Sequence, residues 1–424
     1  MAVTRRYFLK SAGLSLFGVG FVPSFLRRTA FAIEKPALSS RKKILVAVFM
    51  RGAADGLNIV VPYGEKDYYK MRPTIAIPRP GAGDKNEAAL DLNGFFGFHP
   101  RLDALKPIFD AGHLAVIEAV GSPDNTRSHF DAQDYMETAT PGDKSTRDGW
   151  LNRYLRYSPE TDTTPFRAVA AAPRMPLTLQ GAARALAIDN LKTFRLRVNP
   201  ERPEMAGLES AFQALYASTS DPLWSSTARE MFSAAQTLQQ IQGQVYVPEN
   251  GANYPPGPFG RHMQEIAQLI KSDVGLEVAF VDVGGWDHHV QEGGSQGRLA
   301  GLLKEFGDAL AAFHHDMGDR MADVVVLTMS EFGRTARENG NRGTDHGHAN
   351  VMFAMGGPVK GGKIYGQWPG LKPSQLNQDR DLALTTDFRD VFAEVVTLHL
   401  GTLNPSGIFP GFTLSPGRFC GFLG

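Results

Sequence analysis

The sequence predicts an α/β fold in which a largely parallel sheet lies between layers of helices. Two observations carry this. Short apolar runs without polar interruption recur along the chain, and segments with apolar residues at a 3.6-residue period lie between them. A run that is apolar at every position has no face for water, so it suits a strand covered on both sides. With 424 residues, 42% of them hydrophobic, the chain can fill one large core.

The first run is 42–50 (KKILVAVFM), and runs at 113–120, 276–283, 324–328 and 351–355 read the same way. Among the helices, Arg298–Met317 is apolar at Leu299, Leu302, Leu303, Phe306, Leu310 and Phe313. Segment 386–400 starts on a hydroxyl cap and is apolar at Phe388, Val391, Phe392, Val395, Val396 and Leu398. Segment 199–258 differs: it favours helix at first, then becomes polar and Pro/Gly-rich around 248–258. It reads as a helical insertion followed by a linker or lid, where substrate choice is expected to reside.

Composition excludes several classes. Lys+Arg and Asp+Glu both number 44, so no polybasic surface draws the chain to nucleic acid, and no nucleic-acid module is present. The single cysteine, Cys420, rules out an intrachain disulfide and a thiolate metal cluster. Gly357-Pro358-Val359-Lys360-Gly361-Gly362-Lys363 has the spacing of a phosphate-binding loop, but Ile364 replaces its hydroxyl residue, leaving a glycine-rich turn.

The N-terminus reads as a removable address. Thr4-Arg5-Arg6-Tyr7-Phe8-Leu9-Lys10 precedes a modestly apolar stretch, and Ala30-Phe31-Ala32 offers a small-residue cleavage site. This is the layout of a twin-arginine signal over residues 1–32, which implies a translocase partner during export and a periplasmic or extracellular address. Cleavage removes five basic residues and no acid, leaving 39 basic against 44 acidic. Residues 33–424 are expected to form one domain, and no later segment reads as a membrane span.

Chemistry concentrates where strands end, the customary place for active residues in a parallel sheet. After the first run comes Asp55-Gly56, either a turn or a carboxylate presented at the sheet edge. After the second comes Arg127-Ser128-His129-Phe130-Asp131. Here Ser128 either caps a helix or acts as a nucleophile, with Arg127 and His129 around an anion. Gly284-Gly285-Trp286-Asp287-His288-His289 follows the third run as compact metal-ligand material. Adjacent side chains diverge, so one of His288 and His289 is expected to bind. Glu331 and Arg334 follow the fourth run, and Asp345-His346-Gly347-His348 has the sharpest metal-ligand spacing in the chain.

Taken in order, the twin-arginine segment, Asp55-Gly56-Leu57, Arg127-Ser128-His129-Phe130 and Gly284-Gly285-Trp286-Asp287-His288 form a familiar series. Ser330-Glu331-Phe332-Gly333-Arg334-Thr335, Asp345-His346-Gly347-His348 and Gly366-x-Trp368-Pro369-Gly370 continue it. The series resembles the exported bacterial "domain of unknown function 1501" family, itself similar to the alkaline phosphatase and sulfatase superfamily. That resemblance implies an alkaline-phosphatase-like three-layer sandwich with one or two divalent ions, zinc, manganese or calcium, at the carboxyl edge. It implies Asp55, Asp287, His288, His289, Glu331, Asp345, His346 and His348 as metal ligands. Ser128 (or Thr126) would be the nucleophile, with Arg127, His129 and Arg334 around it. Glu331-Phe332 stands where the superfamily has Asp-His, which removes one imidazole. The function expected is hydrolysis of a small phosphate or sulfate ester, and the alternative is a non-catalytic periplasmic binding or assembly protein.

Overall fold

In the computed structural model, residues 41–424 are described apart from 85, 159–163, 194–232 and 244. The apolar runs become strands β1 (Ile44–Met50), β5 (Leu114–Gly121), β8 (Val278–Val283), β9 (Val324–Met329) and β10 (Asn350–Gly356). Shorter strands join them: β6 (Ala168–Ala171), β7 (Leu186–Ala187), β11 (Lys363–Tyr365) and β12 (Thr386–Asp387). Their spatial order is β11-β5-β10-β9-β1-β8-β6-β7, with β12 also paired to β5. A separate small sheet holds β2 (Val60–Val61), β3 (Leu90–Asp91) and β4 (Gly97–Phe98).

Strand β1 sits in the middle of the main sheet and shows why its sequence is apolar throughout. Ile44, Val46, Val48 and Met50 pack into one cluster with Met263 and Ile266 of helix α3 (Pro258–Lys271) and with Leu303 and Phe306 of helix α4 (Arg298–Met317). Leu45, Ala47 and Phe49 pack on the other side with Trp150 and Tyr154 of α2 (Trp150–Tyr157) and with Phe388 and Phe392 of α5 (Phe388–Glu394). Each such buried apolar side chain contributes about 1.5–3 kcal/mol. The result is a three-layer α/β sandwich with a mostly parallel sheet.

One strand breaks the parallel order. β10 runs antiparallel to both neighbours, β5 and β9, whereas the other pairings in this sheet are parallel. Asn350 at the start of β10 lies opposite Val120 near the end of β5. The residues that enter β10 therefore reach the edge where β1, β5, β8 and β9 end. Helix α1 (His129–Thr138) begins at that edge after β5.

Segment 386–400 divides into β12, α5 and a wider turn at Val395–His399, because Asp387 accepts from Arg389 N–H and so starts the helix later. Of the expected helical insertion at 199–258, residues 199–232 lie outside the described residues, and 233–242 is helical. The Pro/Gly-rich stretch is fastened away from the carboxyl edge, not over it as a lid. Buried Asp316, near the C-terminal end of α4, accepts from Tyr246 OH (2.6 Å), Glu249 N–H (2.8 Å), Tyr254 OH (2.8 Å) and Lys271 Nζ (2.6 Å). That point is about 27 Å along the helix from its start beside the β8 loop, at 1.5 Å per residue. The expected signal at 1–32 lies outside the described residues. Among the described residues, no helix is long and apolar enough to cross a membrane.

Candidate metal centre

The loops at the carboxyl edge meet closely because glycines let them. Gly52, just past β1, has φ +118°, and a Cβ there would stand 2.8 Å from Asp287 N. Only glycine tolerates both the backbone angle and the approach. Its N–H donates to Glu331 Oε1 at 2.9 Å, which ties the β1 exit to the β9 exit. Gly347 plays the same part between the two histidines of the β10 entry loop, where a Cβ would stand 2.3 Å from Arg334 C.

Three imidazoles and one carboxylate converge in front of these loops. His346 Nε2 lies 2.9 Å from His129 Nε2 and 2.9 Å from His289 Nε2. Asp287 completes the set, with Oδ1 3.1 Å from His289 Nε2 and 3.4 Å from His346 Nε2, and Oδ2 3.6 Å from His129 Nε2. Among the described residues, His129, Asp287 and His346 form the group whose ligand atoms all lie within 4.8 Å of one another, and His289 adjoins it. All four side chains are partly exposed, Asp287 by 42%, so one face of the set meets solvent.

The opposite side of each ring is fixed. His346 Nδ1 donates to the Arg127 carbonyl at 2.8 Å, His129 Nδ1 to Glu331 Oε1 at 2.7 Å, and His289 Nδ1 to Asp345 Oδ1 at 3.0 Å. A carbonyl oxygen only accepts, so His346 carries its proton on Nδ1 and turns a bare lone pair on Nε2 towards the other rings. The two carboxylates impose the same tautomer on His129 and His289. Lone pairs facing one another repel, and a shared cation relieves that repulsion. A tetrahedral ion with ligand bonds of about 2.0–2.1 Å spaces its donors about 3.3 Å apart, and the contacts among His129, His346 and Asp287 bracket that value, while His289 adjoins only His346 and Asp287. The donor set therefore fits a divalent ion, with the carbonyl and carboxylates behind the imidazoles in the usual outer arrangement.

Electrostatics agree with this assignment. The carboxylate of Glu331 resists its own burial, because hydrogen bonds from His129, Gln133 and Gly52 hold it below the usual range. Its hydrogen bond raises His129 in turn, so this ring takes up a proton more readily and an ion bound there would have to displace it. Burial lowers His346, which keeps it a neutral donor. Asp287 is lowered against burial by the hydrogen bond and charge of Arg334, 2.6 Å away, and Asp345 is lowered against burial by His289 and Asn339.

A family described as "Protein of unknown function (DUF1501)" matches residues 114–406, more than half of the chain. The chain belongs to the DUF1501 family. Among solved structures it is similar to the PsFucS1 sulfatase from Pseudoalteromonas sp., at 11% identity and a TM-score of 0.37, over 89% of this chain and 72% of that one. It is also similar to the C-terminal periplasmic domain of EcEptC from Escherichia coli in complex with Zn, at 10% identity and a TM-score of 0.37, over 89% of both chains. No curated protein sequence matches it significantly.

In this DUF1501 chain the residues singled out from sequence divide into three groups. His289, His346 and Asp287 meet, together with His129, which sequence reasoning placed around an anion. Glu331 and Asp345 stand behind the imidazoles. The others lie elsewhere. Asp55 is buried, with Oδ2 paired to Arg72 Nη1 and Oδ1 accepting from Arg72 Nη2 at 2.9 Å, so both oxygens are taken by an arginine. His288 is buried away from His289, and its Nδ1 has no hydrogen-bond partner. His348 is buried near Asp381 and Arg127. Ser128 caps α1 by accepting from Asp131 N–H at 3.4 Å and makes no bond to the imidazoles. The Arg127 guanidinium is committed to Asp381 at 2.5 Å and to Gln378 at 2.9 Å. Arg334 is buried against Asp287 and Thr344.

Sequence reasoning missed Gln133, Arg72 and Asp381. Gln133 donates to Glu331 Oε1 at 2.9 Å and stands four residues after His129, a helical spacing that could have revealed it. Arg72 and Asp381 arrive from distant segments and leave no local signal.

Proposed function

We propose that the chain is an exported metal-dependent hydrolase of phosphate or sulfate esters. The observation that carries this is the set of His129, His289, His346 and Asp287, in which every imidazole is locked through Nδ1 and one side is open. A divalent ion held there would polarise an ester oxygen and lower the pKa of a coordinated water. The chain's own groups hold the donors still. Arg334 fixes the Asp287 carboxylate, Glu331 gathers His129, Gln133 and Gly52, and Asp345 holds His289 together with Asn339. Imidazole donors favour zinc and disfavour calcium, which takes oxygen ligands. Arg5-Arg6 supports export of the folded chain by the twin-arginine route.

One observation favours a second reading, a binding or assembly protein that retains the ion without turnover. Ser128 is a helix cap, and both Arg127 and Arg334 are held by carboxylates, so none of the three is free to act on an ester. Metal analysis of the purified protein, followed by a panel of phosphate and sulfate monoesters, tests both. The expected result is about one zinc or manganese per chain, with hydrolysis that stops on chelation and returns with the ion. A protein that binds no ion, and whose Tm does not rise with divalent ions, overturns the proposal. One bound ion without turnover of any ester selects the second reading.

A further inference from the structure

Asp345, which accepts from His289, also lines a cavity of about 250 Å³ between loop 335–339 and loop 373–380. The cavity brings together groups that the metal centre does not use. Among its acids, Glu338 is fully engaged: Oε1 accepts from Thr74 Oγ1 at 2.9 Å, and Oε2 from the N–H groups of Thr74 and Ile75 at 3.0 and 3.1 Å. Asp345 accepts from His289 and Asn339 through Oδ1 alone, which leaves its Oδ2 open. Asp379 lies at the exposed turn of the second loop.

The bases are the opposite case. Arg337 is exposed and, among the described residues, its guanidinium makes no hydrogen bond or ion pair, so all five of its N–H donors are available. Arg380 donates from Nη2 to the His346 carbonyl at 2.9 Å, and its Nε stands 3.7 Å from Asp381 Oδ1, leaving Nη1 without a protein partner. Two guanidinium groups with unused donors thus share the cavity with three carboxylates, of which Glu338 is turned onto Thr74 and Ile75, and Met71 and Leu376 add apolar wall beside them. A planar fork of unused donors matches an oxyanion, which it can grip through two parallel bonds. The sequence pointed to Arg127 and Arg334 for this part, and both are occupied by carboxylates.

We propose that this cavity is a second binding site for an oxyanion (phosphate, sulfate or carboxylate), gripped by Arg337 and Arg380 next to the metal centre. On the hydrolase reading, on which its role in substrate choice rests, it selects esters that carry a further acidic group. Selectivity then belongs to loops 335–339 and 373–380 and not to segment 199–258. Because Arg380 also holds the His346 carbonyl, Arg337 is the cleaner residue to change.

Titration of inorganic phosphate into the chelator-treated full chain, followed by calorimetry, tests the site without the ion. The wild type is expected to bind phosphate, with affinity reduced tenfold or more in Arg337→Ala and partly kept in Arg337→Lys. Absence of phosphate binding in the metal-free wild type, or equal affinity in Arg337→Ala, overturns the site. Failure of the wild type to take up zinc would count against the hydrolase reading alone, since this titration is made without zinc. With the ion restored, a short-chain diol bisphosphate that binds more tightly than the matching monophosphate marks the oxyanion as the substrate's own second group. Equal affinity marks it as free phosphate.

Discussion

Two clusters at the carboxyl edge begin from similar sequence and end as different chemistry. Asp55 follows β1 and Asp287 follows β8, each next to a short polar turn. Asp55 is buried against Arg72, with both oxygens paired. Burial would raise its pKa, but the charge and hydrogen bonds of Arg72 hold it down. Beside it, Glu292 is raised by burial and by the Asp55 charge, so it keeps its proton and shares it with Asp55. Glu292 Oε2 accepts from Thr344 Oγ1 at 2.8 Å. Asp287 is half-exposed, and the imidazoles around it meet through Nε2 atoms, with His346 Nε2 2.9 Å from both His129 Nε2 and His289 Nε2. The contrast teaches that the source of the countercharge decides the role of a carboxylate. A guanidinium makes Asp55 part of the scaffold, and bare imidazoles leave Asp287 open to an ion.

The largest effect that tests this contrast is Arg72→Met. It strands a buried carboxylate and is expected to lower unfolding stability in urea by about 3–5 kcal/mol, while the folded fraction keeps its bound metal. Loss of metal with unchanged stability would mean that Asp55 belongs to the metal centre after all. His346→Ala should do the reverse: bound zinc disappears after dialysis, and the metal-free forms of mutant and wild type differ by about 1 kcal/mol or less. Glu331→Gln probes the outer arrangement, with an expected tenfold to hundredfold loss of zinc affinity by competitive chelation. An unchanged affinity would show that His129 does not depend on Glu331 for its orientation.

Acid should separate buried histidines from the open ones. Burial pushes His99 and His399 down to about 4, and each has a carbonyl partner for its ring N–H. The unfolded chain protonates these rings below about 6.5, whereas the folded chain resists until about 4. Stability is therefore present above pH 6.5 and is lost as pH falls from 6.5 to 4. Each such histidine adds about 1.4 kcal/mol per pH unit to the slope in that window. Denaturation of the metal-free protein at a series of pH values is expected to give a shallower slope for His399→Gln, by about one proton. A slope equal to the wild type would place the acid sensitivity elsewhere.

Much of the fold was legible because strands buried on both faces leave unbroken apolar runs, as in Ile44–Met50, and Arg298–Met317 carries its helix period openly. The direction of β10 was not legible. Its residues are as apolar as those of a parallel strand, and only its pairing with β5 and β9 shows that its entry loop reaches the edge where β1, β8 and β9 end. In the candidate site, the His-x-His spacing at 346–348 drew attention to the right loop, yet one of the two rings turns into the interior. Asp55 misled for a physical reason, since the arginine that neutralises it belongs to another segment. The place of His129 beside His346 was hidden because a histidine at a helix start reads equally well as an anion contact.

The smallest expected effect concerns Ser128, the residue next to a proposed ligand that the sequence marked as a nucleophile. Its backbone is extended (φ −87°, ψ 118°), and its hydroxyl accepts from Asp131 N–H at a long 3.4 Å, the geometry of a modest cap. Removing a cap of this kind costs about 0.5–1 kcal/mol. Ser128→Ala should therefore lower the urea midpoint slightly, with zinc content and ester turnover unchanged, whereas His129→Ala one residue further on should lose zinc. A turnover that vanishes in Ser128→Ala while zinc stays bound would reverse this assignment and make the hydroxyl the attacking group. The division between scaffold and chemistry at this edge would then run between residues 127 and 128, not between 128 and 129.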